Sequence, residues 1–130
     1  MQIKNSIIKT LFVLFFSIFS ININLCAEEF NITAKEILLD KENETLTGSG
    51  TVEAIDSDGN IITAEKITYK KSKEFLLAEG NVKISDKDGN ILLSKKATYD
   101  KINELITTFE NTELILNEGY TLLSKNIYYD

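Results

Sequence analysis

The chain of 130 residues contains no histidine, no arginine and no proline, and it has one cysteine, Cys26. Histidine and cysteine are frequent catalytic bases, nucleophiles and metal ligands, and a Gly-rich phosphate loop before a helix is missing as well. A single cysteine also excludes an internal disulfide, so stability must come from packing. We predict that the protein is not an enzyme, and the sequence indicates no catalytic residue, no cofactor and no metal ligand.

Basic side chains are few relative to acidic ones, with 14 lysines against 20 aspartates and glutamates and a net charge of −6. The first 27 residues contain two lysines and no acid, so the remainder carries −6 − 2 = −8. Nucleic acids and anionic membrane surfaces are bound chiefly through Lys and Arg. We therefore expect no nucleic-acid partner and no binding through phosphate groups.

The first 27 residues differ from the rest of the chain. Lys4 and Lys9 form a short basic start, and the apolar run LFVLFFSIF follows at 11–19. A basic start, an apolar run of about 7–15 residues and a small residue before the cut are typical of a secretory signal peptide. We predict a signal peptide at 1–27, cleaved after Ala27 to within a residue or two.

Two other interpretations of this segment stay open. An uncleaved anchor would need about 20 apolar residues, and Asn22 and Asn24 leave fewer than that. Lipid attachment at Cys26 would favour a small preceding residue, where Leu25 stands. The expectation is therefore a soluble, exported protein.

Behind this segment the chain repeats itself every 30 residues, with copies at 31–60, 61–90 and 91–120 and the start of a fourth at 121–130. A period of about 20–50 residues is typical of a structure that stacks one supersecondary unit. Repetition favours a scaffold or conduit over a single catalytic pocket. We predict one domain at 28–130, because 130 − 27 = 103 residues suffice for one modest core.

Each repeat contains two turn signals that divide it into two extended segments. The stronger signal is an Asp-Gly or Gly-Asn sequence, which supplies the positive φ of tight hairpins, and the weaker is a polar stretch. The strong signals lie at 56–60, 86–90 and, less clearly, 117–119, and the polar stretches lie at 39–44, 69–74 and 99–104. We therefore predict two antiparallel strands per repeat.

Apolar residues alternate in the strand period between these turns. One apolar face carries Leu76, Ala78, Gly80, Val82 and Ile84, and the first copy has Leu46, Gly48, Gly50, Val52 and Ala54 at the equivalent positions. In the other strand of the repeat a step of three separates Ala64 from Ile67. This step predicts a bulge or bend near Glu65 and Lys66 that returns both residues to one face.

Strands that bend midway can pass from one sheet to another. We therefore predict an all-β fold, a repeat-built antiparallel β-jelly roll whose small residues leave space along its interior. A β-helix also grows by repetition, but it would not need two hairpin-type turns per repeat. The third copy places Thr108, Glu110 and Thr112 on the apolar face, so that part is either partly polar or shifted in register.

The sequence ITAEKITY at 62–69, paired with LLAEGNVKI at 76–84 and repeated in tandem, resembles the OstA-like domain of lipopolysaccharide transport. This family includes the periplasmic bridge protein LptA and the N-terminal part of the outer-membrane protein LptD. The most specific feature is the pattern of Ala78, Gly80 and Val82, with tandem copies in phase, and the resemblance covers 31–130.

The resemblance implies a β-jelly roll, open along one side, whose apolar interior shields lipopolysaccharide acyl chains in the periplasm. It also implies edge-strand pairing with other jelly-roll components of the transport system, and an outer-membrane barrel partner if the chain is a fragment of an LptD. The candidate groove-lining residues, all predicted to face inward, are Leu46, Val52, Ile62, Ala64, Ile67, Leu76, Ala78, Val82, Ile84 and Leu92.

Several questions stay open at this point. Tyr69, Tyr99 and Tyr129 are in phase and could lie at the groove mouth with hydroxyls in water, or they could be strand-end residues at a sheet margin. The chain ends where its last strand lacks a partner, which favours a fragment of a longer protein or a pairing edge. The alternative function is a repeat-built structural or protein-interaction module without lipid.

Overall fold

The computed structural model describes residues 30–130, so the predictions for the signal peptide, its cleavage and Cys26 lie outside the described residues. This part of the chain forms ten strands, with one 3-10 turn at Lys71–Lys73, and it has no helix that is long and apolar enough to cross a membrane. The strands are β1 Asn31–Thr33, β2 Glu36–Asp40, β3 Thr45–Ile55, β4 Ile61–Lys70, β5 Phe75–Ser85, β6 Ile91–Asp100, β7 Leu105–Phe109, β8 Thr112–Ile115, β9 Thr121–Ser124 and β10 Tyr128–Tyr129.

Every strand pair in residues 30–130 is antiparallel, and the pairs join into one hydrogen-bonded sheet. The central order is β3-β4-β5-β6, so consecutive strands are neighbours. The repeat at 61–90 forms two strands, as predicted, whereas the repeats at 31–60 and 91–120 each form three, because one segment is divided into β1 and β2 or into β7 and β8. The turns between them lie at the predicted positions. The fold class is confirmed as all-β and antiparallel, and the β-helix alternative is excluded.

The four long strands are interrupted near their middle. The register shifts between Ser49 and Val52, between Thr63 and Lys66, and between Glu79 and Val82. The bend predicted near Glu65 and Lys66 is therefore confirmed.

The sheet folds along this line of bulges into two layers. β2 pairs with the first half of β3 while β1 pairs with its second half, and β7 and β8 likewise pair with different halves of β6. We call the layer that contains β2, β7 and β10 the first half-sheet, and the layer that contains β1, β8 and β9 the second half-sheet. Their apolar faces meet in one core.

Adjacent residues with positive φ produce the bulges on alternate strands. Gly80 and Asn81 have φ of 82° and 47° in β5, and Gly50 and Thr51 have φ of 77° and 54° in β3. Gly50 and Gly80 were predicted to belong to the inward row of small residues. This prediction is wrong, because both glycines bend their strands at the bulges. A side chain on Gly80 would also collide with Glu65, which accepts a hydrogen bond from Asn81 at 2.7 Å.

The third copy is partly polar inside, as one of the two alternatives predicted. Thr108 and Thr112 are 0% and 1% exposed, and their hydroxyls lie 2.7 Å apart. Ser94 donates to the carbonyl of Phe109 at 2.9 Å. Glu110, in contrast, is exposed with φ of 64° and separates β7 from β8. The apolar core therefore ends in a hydrogen-bonded polar layer at this bend.

We predict that Gly80→Ala destabilises the protein more than Gly59→Ala. Both positions have positive φ, which costs an alanine about 1–2 kcal/mol, but Gly59 has open space around it whereas Gly80 lies against Glu65. Overpacking at Gly80 adds about 1–3 kcal/mol. Urea unfolding measures both free energies, and equal losses for the two variants would contradict the proposed role of Glu65.

Candidate functional site

The ten residues predicted to line the interior all face the space between the two half-sheets. Nine are buried, with exposures of 5% or less, and Leu46 alone is half-buried. The buried nine are Val52, Ile62, Ala64, Ile67, Leu76, Ala78, Val82, Ile84 and Leu92. Each strand supplies them at alternate positions on either side of the line of bulges, so the facing of the row is preserved across this line.

The centre of the interior is closely packed. Val52, Ile67 and Ala78 are 0% exposed, so these side chains contact other side chains and form a core. Burial of each large aliphatic side chain contributes about 1.5–3 kcal/mol. In this closed conformation the central residues stabilise the fold, and free space lies elsewhere.

Two cavities lie toward the margins of the interior. One, of about 290 Å³, is lined on its apolar side by Ile84, Leu92, Tyr99, Ile106 and Leu114 and has an acidic rim. The other, of about 310 Å³, lies between β1 and β2 and is lined by apolar residues that include Phe30, Ile32, Leu39, Leu46 and Tyr69. Each is about twice the volume of the ~150 Å³ apolar cavity that binds benzene. Three predicted residues, Leu46, Ile84 and Leu92, therefore line free space.

Opposite the line of bulges, the outer ends of the two half-sheets meet at a mouth. The turn at 56–60 belongs to the second half-sheet, and Tyr99 and Lys101 lie at the end of β6 in the first. The Tyr99 hydroxyl donates to Asp56 Oδ2 at 3.2 Å, and Lys101 Nζ lies 3.3 Å from the same oxygen and 2.8 Å from Asp58 Oδ2. We call Asp56, Asp58, Tyr99 and Lys101 the mouth clasp.

The turn itself holds the Asp56 carboxylate in place. Asp56 Oδ1 accepts hydrogen bonds from the backbone N–H groups of Asp58 and Asn60, both at 2.9 Å, and Oδ2 accepts one from the Asn60 side chain at 2.8 Å. Asp86 is held in the same way by its own turn. The Asp-x-Asp-Gly-Asn sequence therefore aims one carboxylate across the mouth in each of the first two repeats.

A second contact across the mouth follows the same spacing as the first. The Tyr129 hydroxyl lies 3.5 Å from Asp86 Oδ2, and both Tyr99–Asp56 and Tyr129–Asp86 join residues 43 positions apart. This second contact is exposed and longer, whereas Asp56 and Lys101 are only 6% and 7% exposed. The mouth is therefore closed more tightly at Asp56 than at Asp86.

An aromatic contact closes the mouth beside β1. Phe30 precedes β1 in the second half-sheet, and its ring meets the rings of Tyr69 and Tyr99 edge to face, with centroids 5.1 Å and 5.7 Å away. Such pairs contribute about 0.5–1.5 kcal/mol beyond the burial of their area. Tyr99 therefore combines the ring contact with Phe30 and the hydrogen bond to Asp56 at one position.

The pKa values of the clasp keep its ion pair charged. Burial alone would raise the pKa of Asp56, but hydrogen bonds from Asn60 and the charge of Lys101 outweigh it and hold this pKa below its ordinary value. Burial, together with the Asp56 charge, raises the pKa of Tyr99 to about 12. Burial would lower the pKa of Lys101, but the hydrogen bond with Asp58 and the charge of Asp56 raise it. At neutral pH the clasp is an ion pair with a neutral phenol.

The positions of the tyrosines were predicted from the sequence, but the contacts of their hydroxyls were not. Tyr69 and Tyr99 lie at the mouth, but both are buried, and the Tyr99 hydroxyl contacts Asp56 rather than water. Of the two alternatives, hydroxyls in water are therefore excluded for Tyr99, which lies at the end of β6, while Tyr129 is 37% exposed. The ion pair with Lys101 was not predicted. The repeated 43-residue spacing was a possible signal, although the sequence does not show which copies face each other.

The interior face continues to both margins of the described sheet. Ile37 and Leu39 pair with Gly48 and Leu46 on the inward side of β3, yet they are 53% and 58% exposed. At the other margin Leu122, which pairs with buried Leu114, is 52% exposed. Within residues 30–130, nothing covers these apolar side chains.

Among the described residues, no group of three or more acidic side chains is placed to hold a metal ion.

We predict that Asp56→Asn weakens the acid sensitivity of the fold. A carboxylate with a lowered folded pKa stabilises the protein above its unfolded pKa, and this stability is lost as pH falls through the folded value. The wild type should therefore lose stability below about pH 4. Asp56→Asn should be less stable by about 1–3 kcal/mol at pH 7, with a shallower fall on acidification.

Thermal melts between pH 2 and pH 7 measure this dependence. Asp40, Asp86 and Asp100 also have lowered pKa values, so they contribute a slope that both proteins share. Glu53→Gln, which removes an exposed carboxylate on β3, is the control and should follow the wild type. An Asp56→Asn curve parallel to the wild type at every pH would contradict the ionic clasp.

The architecture is similar to that of a solved structure. No family model and no curated protein matches the sequence. Among solved structures, the chain matches the crystal structure of LptH from Pseudomonas aeruginosa, described as the LptA homologous periplasmic component of the conserved lipopolysaccharide transport device. The TM-score is 0.72 at 16% sequence identity, over 79% of this chain and 76% of the LptH chain. The folded sheet described above is therefore an OstA/LptA-like β-jelly roll.

Proposed function

We propose that the protein is a periplasmic lipopolysaccharide-binding component that shields acyl chains between its two half-sheets. The observation that carries this proposal is the continuous apolar face, which has free space near both margins and stays exposed beyond them. The likeness to LptH supports the class of cargo and the compartment. The predicted signal peptide at 1–27 agrees with export.

The chemistry of the interior suits acyl chains. Transfer of a methylene from water to an apolar site is favourable by about 0.8 kcal/mol, so ten buried methylenes contribute about 8 kcal/mol before the costs of ordering and of opening the fold. Such binding depends on apolar area rather than on charge. A chain without arginine or histidine is compatible with it.

The exposed inward-facing residues at the margins support a second part of the proposal, which is assembly edge to edge. A further jelly-roll unit that paired with β2 would cover Ile37 and Leu39 and would extend the apolar interior across the junction. Unpaired strand edges recruit other strands in this way. We propose other components of this fold, or further copies of this chain, as the partners.

A second candidate function rests on the dense packing at the centre. Because Val52, Ile67 and Ala78 are fully buried, the fold is also suited to a structural spacer that binds protein through its edges and carries no lipid. A spacer needs no free space inside. The cavities beside Ile84 and Leu46 favour the lipid carrier.

We predict that a photoreactive residue at position 84 crosslinks to lipopolysaccharide, whereas one at position 83 does not. Ile84 faces the interior and lines a cavity, while its neighbour Lys83 faces solvent on the same strand. Mass-tagged adducts on denaturing gels provide the readout. Adducts at neither position in a folded protein would favour the spacer, and equal adducts would contradict the interior site.

We predict that Leu39→Glu weakens edge-to-edge association at least tenfold, whereas Leu38→Glu does not. The two residues are neighbours on β2 with exposures of 58% and 71%, but only Leu39 lies on the interior face. Burial of a leucine contributes about 1.5–3 kcal/mol, and about 1.4 kcal/mol is a factor of ten. Sedimentation velocity across a concentration series measures the change. Equal weakening by both variants would show that the interior does not continue through the junction.

A further inference from the structure

The mouth clasp stands between solvent and the apolar interior. Asp56 and Lys101 join the outer ends of the two half-sheets, and both are more than nine-tenths buried. Behind them the interior is closed, since Ile62, Leu76 and Val82 are 1–2% exposed. The turn at 56–60 and the turn at 101–104 therefore face each other across a side entrance to the interior, with the weaker Asp86–Tyr129 contact beside it.

We propose that the mouth clasp is a lateral gate, which rests on the proposed lipid-binding function and adds the route by which the chain enters. When the contacts from Tyr99 and Lys101 to Asp56 break, the half-sheets separate at the mouth and an acyl chain enters sideways. The gate closes when the same contacts re-form.

The chemistry of the clasp suits repeated opening. Asp56, Asp58 and Lys101 become hydrated when they separate, which offsets much of the energy of the lost contacts. An apolar seam at the same place would expose hydrocarbon to water on every opening. Polar groups at the mouth and apolar groups behind it therefore combine a closed resting state with a moderate barrier to opening.

The two sides of the clasp are built differently. Asp56 is fixed by three hydrogen bonds within its own turn, so it keeps its position when the mouth opens. Lys101 reaches it from the facing turn through a long side chain with many rotamers. The gate therefore pairs a carboxylate held by its own turn with a cation on a long side chain, which re-form one geometry on closing.

The position of the free space gives the opening a direction. The cavity that Asp58, Asn60, Tyr99 and Tyr129 help to line begins beside the clasp, on the side of the weaker Asp86–Tyr129 contact. Opening from that side enlarges an existing cavity and leaves the Phe30–Tyr69 ring contact intact. The gate thus opens toward Tyr129.

A reversible bridge across the mouth tests the gate. Asp58→Cys and Lys101→Cys are combined in the full chain with Cys26→Ser, so that no third thiol is present, and are joined by a short bis-methanethiosulfonate that reductant removes. Stopped-flow fluorescence then follows uptake of N-phenyl-1-naphthylamine. Bridged protein should take up the probe at least tenfold more slowly than the same protein after reduction.

The control bridge joins Thr63→Cys and Lys83→Cys, which face each other on adjacent strands of the second half-sheet and do not span the mouth. This bridge should change the rate less than twofold. Circular dichroism melts establish that each form is folded. Equal rates for the bridged and reduced mouth variants, both of which bind the probe, would overturn the gate while leaving the proposed function standing.

Absence of binding in every folded form, including the wild type, would instead overturn the proposed function and the gate together. Tyr99→Phe gives a second test without cysteines, because it removes one hydrogen bond and keeps the ring contact with Phe30. A gate predicts that the entry and exit rates both rise about three- to tenfold. A change in melting temperature with unchanged rates would overturn the gate and leave Tyr99 a merely structural residue.

Discussion

The line of bulges allows a single sheet to bury its own apolar face. A flat sheet with one apolar face would leave that face in water, and a chain of this length has no second domain within residues 30–130 to cover it. Positive φ at Gly50 and Gly80 lets the same strands turn back on themselves, so one face buries itself. The interior, the mouth and the two margins all follow from this fold line, because the bend places strand ends opposite one another and leaves the edge strands without cover.

Periodicity predicted most of the fold. The alternation from Leu76 to Ile84 and the step of three between Ala64 and Ile67 established which side chains face inward, since burial on one face fixes the parity of a strand. The glycines were misassigned for a physical reason. Gly80 continues the alternating pattern by position, and only its backbone angle shows that it bends the strand.

The mouth clasp could not be predicted in the same way. Asp56 reads as a turn residue and Lys101 as part of a polar loop, and both interpretations are correct locally. Their contact depends on how the two half-sheets are offset from each other, which results from the summed bends and twists of four strands. A single sequence contains the 43-residue spacing but does not give the offset. The sequence therefore predicts the apolar row but does not predict long-range polar contacts of this kind.

The central claim is that the interior between the half-sheets receives acyl chains. Methyl NMR during titration with lipopolysaccharide tests it directly, because aliphatic side chains lie on both surfaces of the sheet. We expect saturable shifts at Ile84 and Leu92 inside the fold, with little change at exposed Leu38. Shifts confined to Leu38 and Leu123, with the interior methyls unchanged, would contradict it and would identify a protein that meets lipid only at its surface.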